Sequence, residues 1–168
     1  MNAIVNVNPH WGIGAGGKLL VSVPADLRRF HDLTVHQTII YGRKTLATFP
    51  EGKPLPEREN IILSKTKGFS VEGATVCRSM EELKQLLRER YSEQLWVCGG
   101  ESVYKLLVPY CEKAYVTFSY TEKKADKFFP NLNRNENWIV SAIEPTVVEG
   151  RVPYRFVEYT NTKPLAFE

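Results

Sequence analysis

Thr38-Ile39-Ile40-Tyr41 and Asn60-Ile61-Ile62-Leu63 constrain this chain more than any other feature, because their apolar, β-branched character is almost uninterrupted. A strand with one face in water alternates apolar and polar side chains, whereas an unbroken run needs cover on both faces. Residues 3–7, 74–77, 95–98 and 114–120 are similar. Strands buried on both sides belong to a parallel sheet, where crossover helices supply the cover. Helical patterns fall between them over residues 24–33, 43–48 and 101–107. Ser79-Met80-Glu81-Glu82 is a capping box that opens another, with Leu83, Leu86 and Leu87 on one face. The alternation predicts one α/β domain over residues 1–168, a mostly parallel central β-sheet of about eight strands flanked by about four helices. Residues 138–159 read differently: two strand-like runs around Glu149-Gly150 predict a C-terminal antiparallel hairpin that completes the sheet.

The net charge of +3 permits an electropositive groove for a phosphorylated ligand but is too scattered for a nucleic-acid reader. Cys77, Cys98 and Cys111 are odd in number and widely spaced, which suits neither a disulfide framework nor a metal site. No basic leader with an apolar stretch opens the chain, and no run approaches membrane-spanning length. These features predict a cytoplasmic protein with no membrane or nucleic-acid partner and no metal; a monomer with a small-molecule partner is expected besides.

Gly12-Ile13-Gly14-Ala15-Gly16-Gly17 satisfies G-x-G-x-x-G, but the dinucleotide fingerprint requires a helix to open among its glycines. Here Lys18-Leu19-Leu20-Val21-Ser22-Val23 is extended in character and stops at Pro24. The segment therefore reads as a mobile loop beside a site, with Ile13 and Leu19 as its apolar contacts. Cys98-Gly99-Gly100-Glu101-Ser102-Val103 is a better phosphate cradle, because it runs from a buried strand directly into a helix. A tight strand-to-helix turn would use the same glycines. Tyr41-Gly42-Arg43-Lys44-Thr45 places two cations at a helix start, where the dipole disfavours them unless an anion lies between. With Ser64-Lys65, these junctions would gather at the carboxyl edge of one sheet and suit a phosphorylated dinucleotide. Arg58 could hold a ligand carboxylate or pair locally with Glu57 or Glu59. In Val23-Pro24-Ala25-Asp26-Leu27, proline takes the first helical position and a carboxylate the first turn. That acid either complements the dipole or, among apolar neighbours, has a pKa raised towards the working pH.

In register, several segments resemble the dihydrofolate reductase family over nearly the whole chain. They are Trp11-Gly12-Ile13-Gly14, Pro24-Ala25-Asp26-Leu27 with Phe30, Gly42-Arg43-Lys44-Thr45, Pro54-Leu55-Pro56 with Arg58, and Asn60-Ile61-Ile62-Leu63-Ser64. The later ones are Gly99-Gly100 with Tyr104, Tyr115-Val116-Thr117, and Ala125-Asp126 with Phe129-Pro130. The resemblance implies reduction of 7,8-dihydrofolate by NADPH, with hydride reaching C6 of the pterin and a proton N5, and antifolates as inhibitors. Asp26, Thr117 and Leu19 would be the catalytic residues, Asp26 orienting the pterin and Thr117 bridging the carboxylate and the pterin amine. Ile4, Val5, Leu27, Phe30 and Phe49 would line the substrate pocket, and Arg58 would take the glutamate α-carboxylate. The cofactor would meet Asn6, the lid segment with Ile13, Gly14, Gly17 and Lys18, and the junction residues Gly42, Lys44 and Thr45. It would also meet Leu63 and the run Cys98, Gly99, Gly100, Glu101, Ser102, Val103 and Tyr104. Arg43, Ser64 and Lys65 would hold the 2′-phosphate, and Asp126 would support the closed lid.

Three departures stand out. Leu20-Val21 replaces the family's usual Pro-Trp, whose indole anchors a water near the acid; Asn6 replaces a usual alanine and Cys98 a usual aliphatic. Two other readings compete: a same-fold NADPH reductase of another heterocycle, of the riboflavin-pathway type, and a non-catalytic module that binds NADPH or folate. The pairing of Asp26 with Thr117 speaks against the first, and the intact Gly99-Gly100 against the second.

Overall fold

The computed structural model describes residues 1–148 and 150–168. Among them, chain order gives β1 (Asn2–Val7), β2 (Gly12–Ala15), β3 (Lys18–Leu19), α1 (Pro24–Thr34), β4 (Thr38–Gly42), α2 (Arg43–Leu46), β5 (Glu59–Leu63) and β6 (Ala74–Cys77). There follow α3 (Met80–Leu87), β7 (Leu95–Val97), α4 (Glu101–Leu107), β8 (Lys113–Ser119), β9 (Lys127–Phe128), β10 (Trp138–Ile143) and β11 (Tyr154–Asn161).

Eight strands form one sheet in the order β10-β11-β8-β1-β7-β4-β5-β6. Pairing is parallel from β8 to β6 and antiparallel at β10-β11 and β11-β8. Residues along the central strands divide between two cores. Ala3, Val5, Ile40, Ile61 and Val97 pack with Leu83 and Leu107 of α3 and α4, while Ile4, Ile39, Tyr41, Ile62 and Trp96 pack with Leu46, Phe30 and Leu33 of α2 and α1. Ile39, Ile40, Ile61 and Ile62 have no exposed surface. Both faces are covered, which is why the runs read as unbroken. The terminal antiparallel pair is β10 with β11, as expected; Glu149, in the turn the sequence suggested, lies outside the described residues.

The capping box is present in altered form. Ser79 Oγ accepts from the Glu82 amide at 3.1 Å, but Glu82 returns to the amide of Arg78, 2.8 Å away, instead of to Ser79. Leu83 and Leu87 of α3 are buried and Leu86 packs at the margin of the same core. Leu83→Ala should cost about 2–5 kcal/mol, because a fully buried leucine leaves a cavity that close packing does not refill. Chemical denaturation of the variant measures the loss.

The glycine-rich segment corrects the sequence reading. It is not an irregular loop but a hairpin, β2 with β3, and β2 pairs on its other edge with β9 in a separate three-stranded sheet. Gly16 and Gly17 make the turn with φ of 60° and 78°, angles that glycine adopts without strain. No helix opens within it, as the extended residues after the glycines required.

Candidate active site

A cavity of about 430 Å³ opens where the carboxyl ends of β1 and β7 meet α1, α2 and the β2-β3 hairpin. Asp26, Leu27, Phe30 and Arg58 lie around it with Ile4, Val5 and Asn6 of β1; so do Phe49, Leu55 and Thr45. Ile13, Leu19, Cys98, Gly99, Gly100 and Tyr104 complete the expected residues that line it. Leu19, placed among the catalytic residues by the resemblance, is an exposed aliphatic side chain on β3. It has no proton to give and can only cover apolar surface.

Asp26 occupies the first turn of α1, after Pro24. Its carboxylate does not cap the helix; it accepts a 2.6 Å hydrogen bond from the hydroxyl of Thr117, a buried residue of β8. Burial raises the Asp26 pKa above the ordinary carboxylate value, with the Thr117 hydrogen bond, Arg29 and Asn6 opposing the rise. The acid is therefore desolvated but held in one orientation, with its free edge on the cavity.

Arg58 resolves the choice that the sequence left open. Glu59 is taken by Arg90 at 2.5 Å, and Arg58 instead donates to the carbonyl of Pro56 at 3.0 Å and the hydroxyl of Thr34 at 3.3 Å. The guanidinium stands 5.9 Å from the Phe30 ring centre, without a carboxylate partner among the described residues. A cation so placed at the cavity rim can receive a ligand carboxylate.

The glycine junctions converge on the opposite side. The Gly42 amide donates to the Gly99 carbonyl at 2.8 Å, which sets the start of α2 against the turn into α4. A Cβ on Gly42 would stand 3.2 Å from Val103 Cγ2, and one on Gly99 would stand 3.4 Å from both Thr45 Oγ1 and the Tyr104 ring. Gly99 has φ 118°, and its peptide bond to Gly100 is cis. The backbone is thus bared where a phosphate would lie. Arg43, Lys44 and Lys65 are exposed beside it, without carboxylate partners among the described residues, and Ser64 is half-buried. This donor set fits a phosphorylated dinucleotide.

Three expected cofactor residues, Val103, Tyr104 and Glu101, also hold the fold together. Val103 and Tyr104 turn their side chains into the core, and the Tyr104 hydroxyl donates to the Ile4 carbonyl at 2.7 Å. Glu101 accepts from the Phe128 amide at 2.6 Å and so ties α4 to the small sheet. Ser102 is exposed. Gly14, Gly17 and Lys18 lie in the hairpin, whose fastening runs through Asp126: its amide donates to the Gly14 carbonyl at 2.9 Å, and its carboxylate accepts from the Gly16 amide at 3.0 Å. Leu63 ends β5, one residue before Ser64. Sequence reasoning missed Asn8, whose buried side chain accepts from the amides of His10 and Gly12 and so sets the entry to the hairpin. An asparagine just after a strand is an ordinary turn signal, and it was there to be read.

An α/β sheet with an anion cradle on one side of a cleft and a desolvated carboxyl on the other is the architecture of a reductase that brings a nucleotide cofactor to an organic ring. The comparisons agree. A family model described as dihydrofolate reductase matches residues 1–161. The dihydrofolate reductase of Staphylococcus haemolyticus is 30% identical over 156 residues, covering 93% of this chain and 91% of the relative. That of Mycobacterium tuberculosis is 33% identical over 151 residues, covering 88% and 89%. The solved dihydrofolate reductase from Enterococcus faecalis, complexed with NADP(H) and RAB-propyl, superposes with a TM-score of 0.81 at 32% identity, covering 95% of each chain. The chain belongs to the dihydrofolate reductase family. It is an NADPH-dependent oxidoreductase acting on dihydrofolate.

Proposed function

We propose that the cavity beside Asp26 holds the pterin and the glycine cradle holds NADPH, so that this chain converts 7,8-dihydrofolate to tetrahydrofolate with its residues in the following roles. The observation that carries this assignment is the 2.6 Å contact between Thr117 and Asp26 at the wall of the cavity. Thr117 holds the carboxylate, and the carboxylate accepts from the pterin ring nitrogen and exocyclic amine, fixing the ring. Bound NADPH supplies the hydride that C6 receives. Because burial holds the Asp26 carboxyl above the ordinary range, the acid favours a proton at N5 on the same ring. Leu27, Phe30 and Phe49 pack on the pterin and aminobenzoyl rings, and Ile13 and Leu19 of the hairpin exclude water from the meeting point of the two ligands. Lys44, Thr45 and the Gly99-Gly100 backbone hold the pyrophosphate; Arg43, Ser64 and Lys65 hold the 2′-phosphate. The same reading makes residues 1–168 a single catalytic domain that works as a monomer in the cytoplasm.

NADPH deuterated at nicotinamide C4 tests the reaction: the product should carry one deuterium, at C6, and deuterium elsewhere would be a different reduction. Arg58→Gln tests the tail site. Losing a charge-assisted hydrogen bond of about 1.5–3 kcal/mol should raise KM for dihydrofolate roughly 10- to 100-fold while leaving kcat nearly unchanged. A dihydropteridine lacking the glutamate should be turned over equally by the variant and the parent enzyme.

A further inference from the structure

Asn6 sits in register with Thr117 and lines the same cavity as Asp26, yet the contact the resemblance implies with the cofactor is through its backbone, and the roles above leave its side chain unused. Its amide is fixed from two sides. The Val21 carbonyl can only accept, so the amide nitrogen faces it, at 3.5 Å. The amide oxygen then faces Ser119, whose hydroxyl donates at 2.6 Å. Ser119 has no exposed surface, so water does not compete for that contact. An amide nitrogen carries two hydrogens, so the contact with Val21 leaves one over.

We propose that Asn6, locked by Ser119, is a positioning residue for Asp26, sharing with Thr117 the task of orienting the carboxylate towards the substrate cavity. This inference rests on the reading of Asp26 as the pterin-binding acid. Donors aimed at a carboxylate favour its charged form, and Asn6 acts in that direction against the desolvation of Asp26. The other ionisable groups acting with Asp26 are Arg29, on the same helix, and the buried Tyr104 of α4, whose hydroxyl is committed to Ile4. Neither is altered in the variants below.

The test is the pH profile of turnover at saturating NADPH for Asn6→Ala, Ser119→Ala and the double variant, with NADPH affinity measured beside it. If the protonated acid assists the reaction, the rate falls as pH rises through the Asp26 pKa. Removing a donor to the charged form moves that falling limb to higher pH. Asn6→Ala should show the shift with NADPH kept saturating. Ser119→Ala should shift it in the same direction by less, and the double variant no further than Asn6→Ala, because the two act as one unit. Ser119→Ala alone carries the test if Asn6→Ala does not fold. A limb that stays in place while melting temperature falls, or a loss of NADPH affinity without a shift, overturns the proposal. Asp26→Asn separates the two failures: a variant that keeps the limb removes the reading of Asp26, whereas one that abolishes it while Asn6→Ala leaves it unmoved removes only the role of Asn6.

Discussion

Asp26→Asn should lower turnover near neutral pH by about 10²- to 10⁴-fold, the range general acid–base groups contribute, while NADPH affinity stays within about twofold of the parent. Asparagine keeps the shape of the side chain but cannot take up a proton, and its NH₂ meets the pterin donors with a donor of its own. The proposed cofactor cradle, built on the glycine junctions at the starts of α2 and α4, does not include this side chain. The same substitution should change stability in the opposite direction. Burial holds the Asp26 pKa above its ordinary value, so between the unfolded and folded pKa the folded chain binds more protons, and stability falls as pH rises through that window. Asp26→Asn removes this loss. The variant should melt above the parent at neutral pH, with the difference shrinking in acid as both states of the parent become protonated. Full activity across the pH range would show that the carboxylate is not the working acid, and a variant that melts lower at neutral pH would show that it is not a strained one.

Gly99→Ala should weaken NADPH binding by more than about tenfold and lower the melting temperature by several degrees. Alanine at φ 118° is strained by about 1–3 kcal/mol wherever it occurs. At this position the added Cβ also meets Thr45 Oγ1 and the Tyr104 ring at 3.4 Å. Tyr104 is buried and bonded to the Ile4 carbonyl, so it does not retreat, and the backbone that would face the pyrophosphate has to move instead. Gly68→Ala is the control. Its φ of 72° is strained too, but nothing stands within 4 Å of the added atom, so stability should fall while NADPH affinity does not. If the Gly99 variant bound NADPH as well as the control, the cradle would lie elsewhere.

The central sheet could be read because burial on both faces leaves a mark within each strand: Ile39 and Ile40 point into opposite cores, and both are fully buried. The three-stranded sheet could not. Gly12–Ala15 is half glycine, and its partners Lys18–Leu19 and Lys127–Phe128 are two residues each, too short for any periodicity to register. The site divides in the same way. Glycines followed by a helix, and cations at a helix start, are local signals, and both junctions lie where those signals place them. Arg58 and Glu59 are adjacent in sequence but face different partners, since Glu59 reaches Arg90 on the far side of a crossover. The Asp26–Thr117 pair spans 91 residues and was legible only through the family resemblance; Asn6–Ser119 spans 113 and departs from it, so only the fold reveals it.

Loss of NADPH absorbance on mixing the purified chain with 7,8-dihydrofolate, with NADH and a blank lacking folate alongside, decides most directly whether this cleft is a working dihydrofolate reductase. Rapid oxidation that requires dihydrofolate and prefers NADPH is the expected result. Absence of dihydrofolate-dependent oxidation, with NADPH still bound, would contradict it.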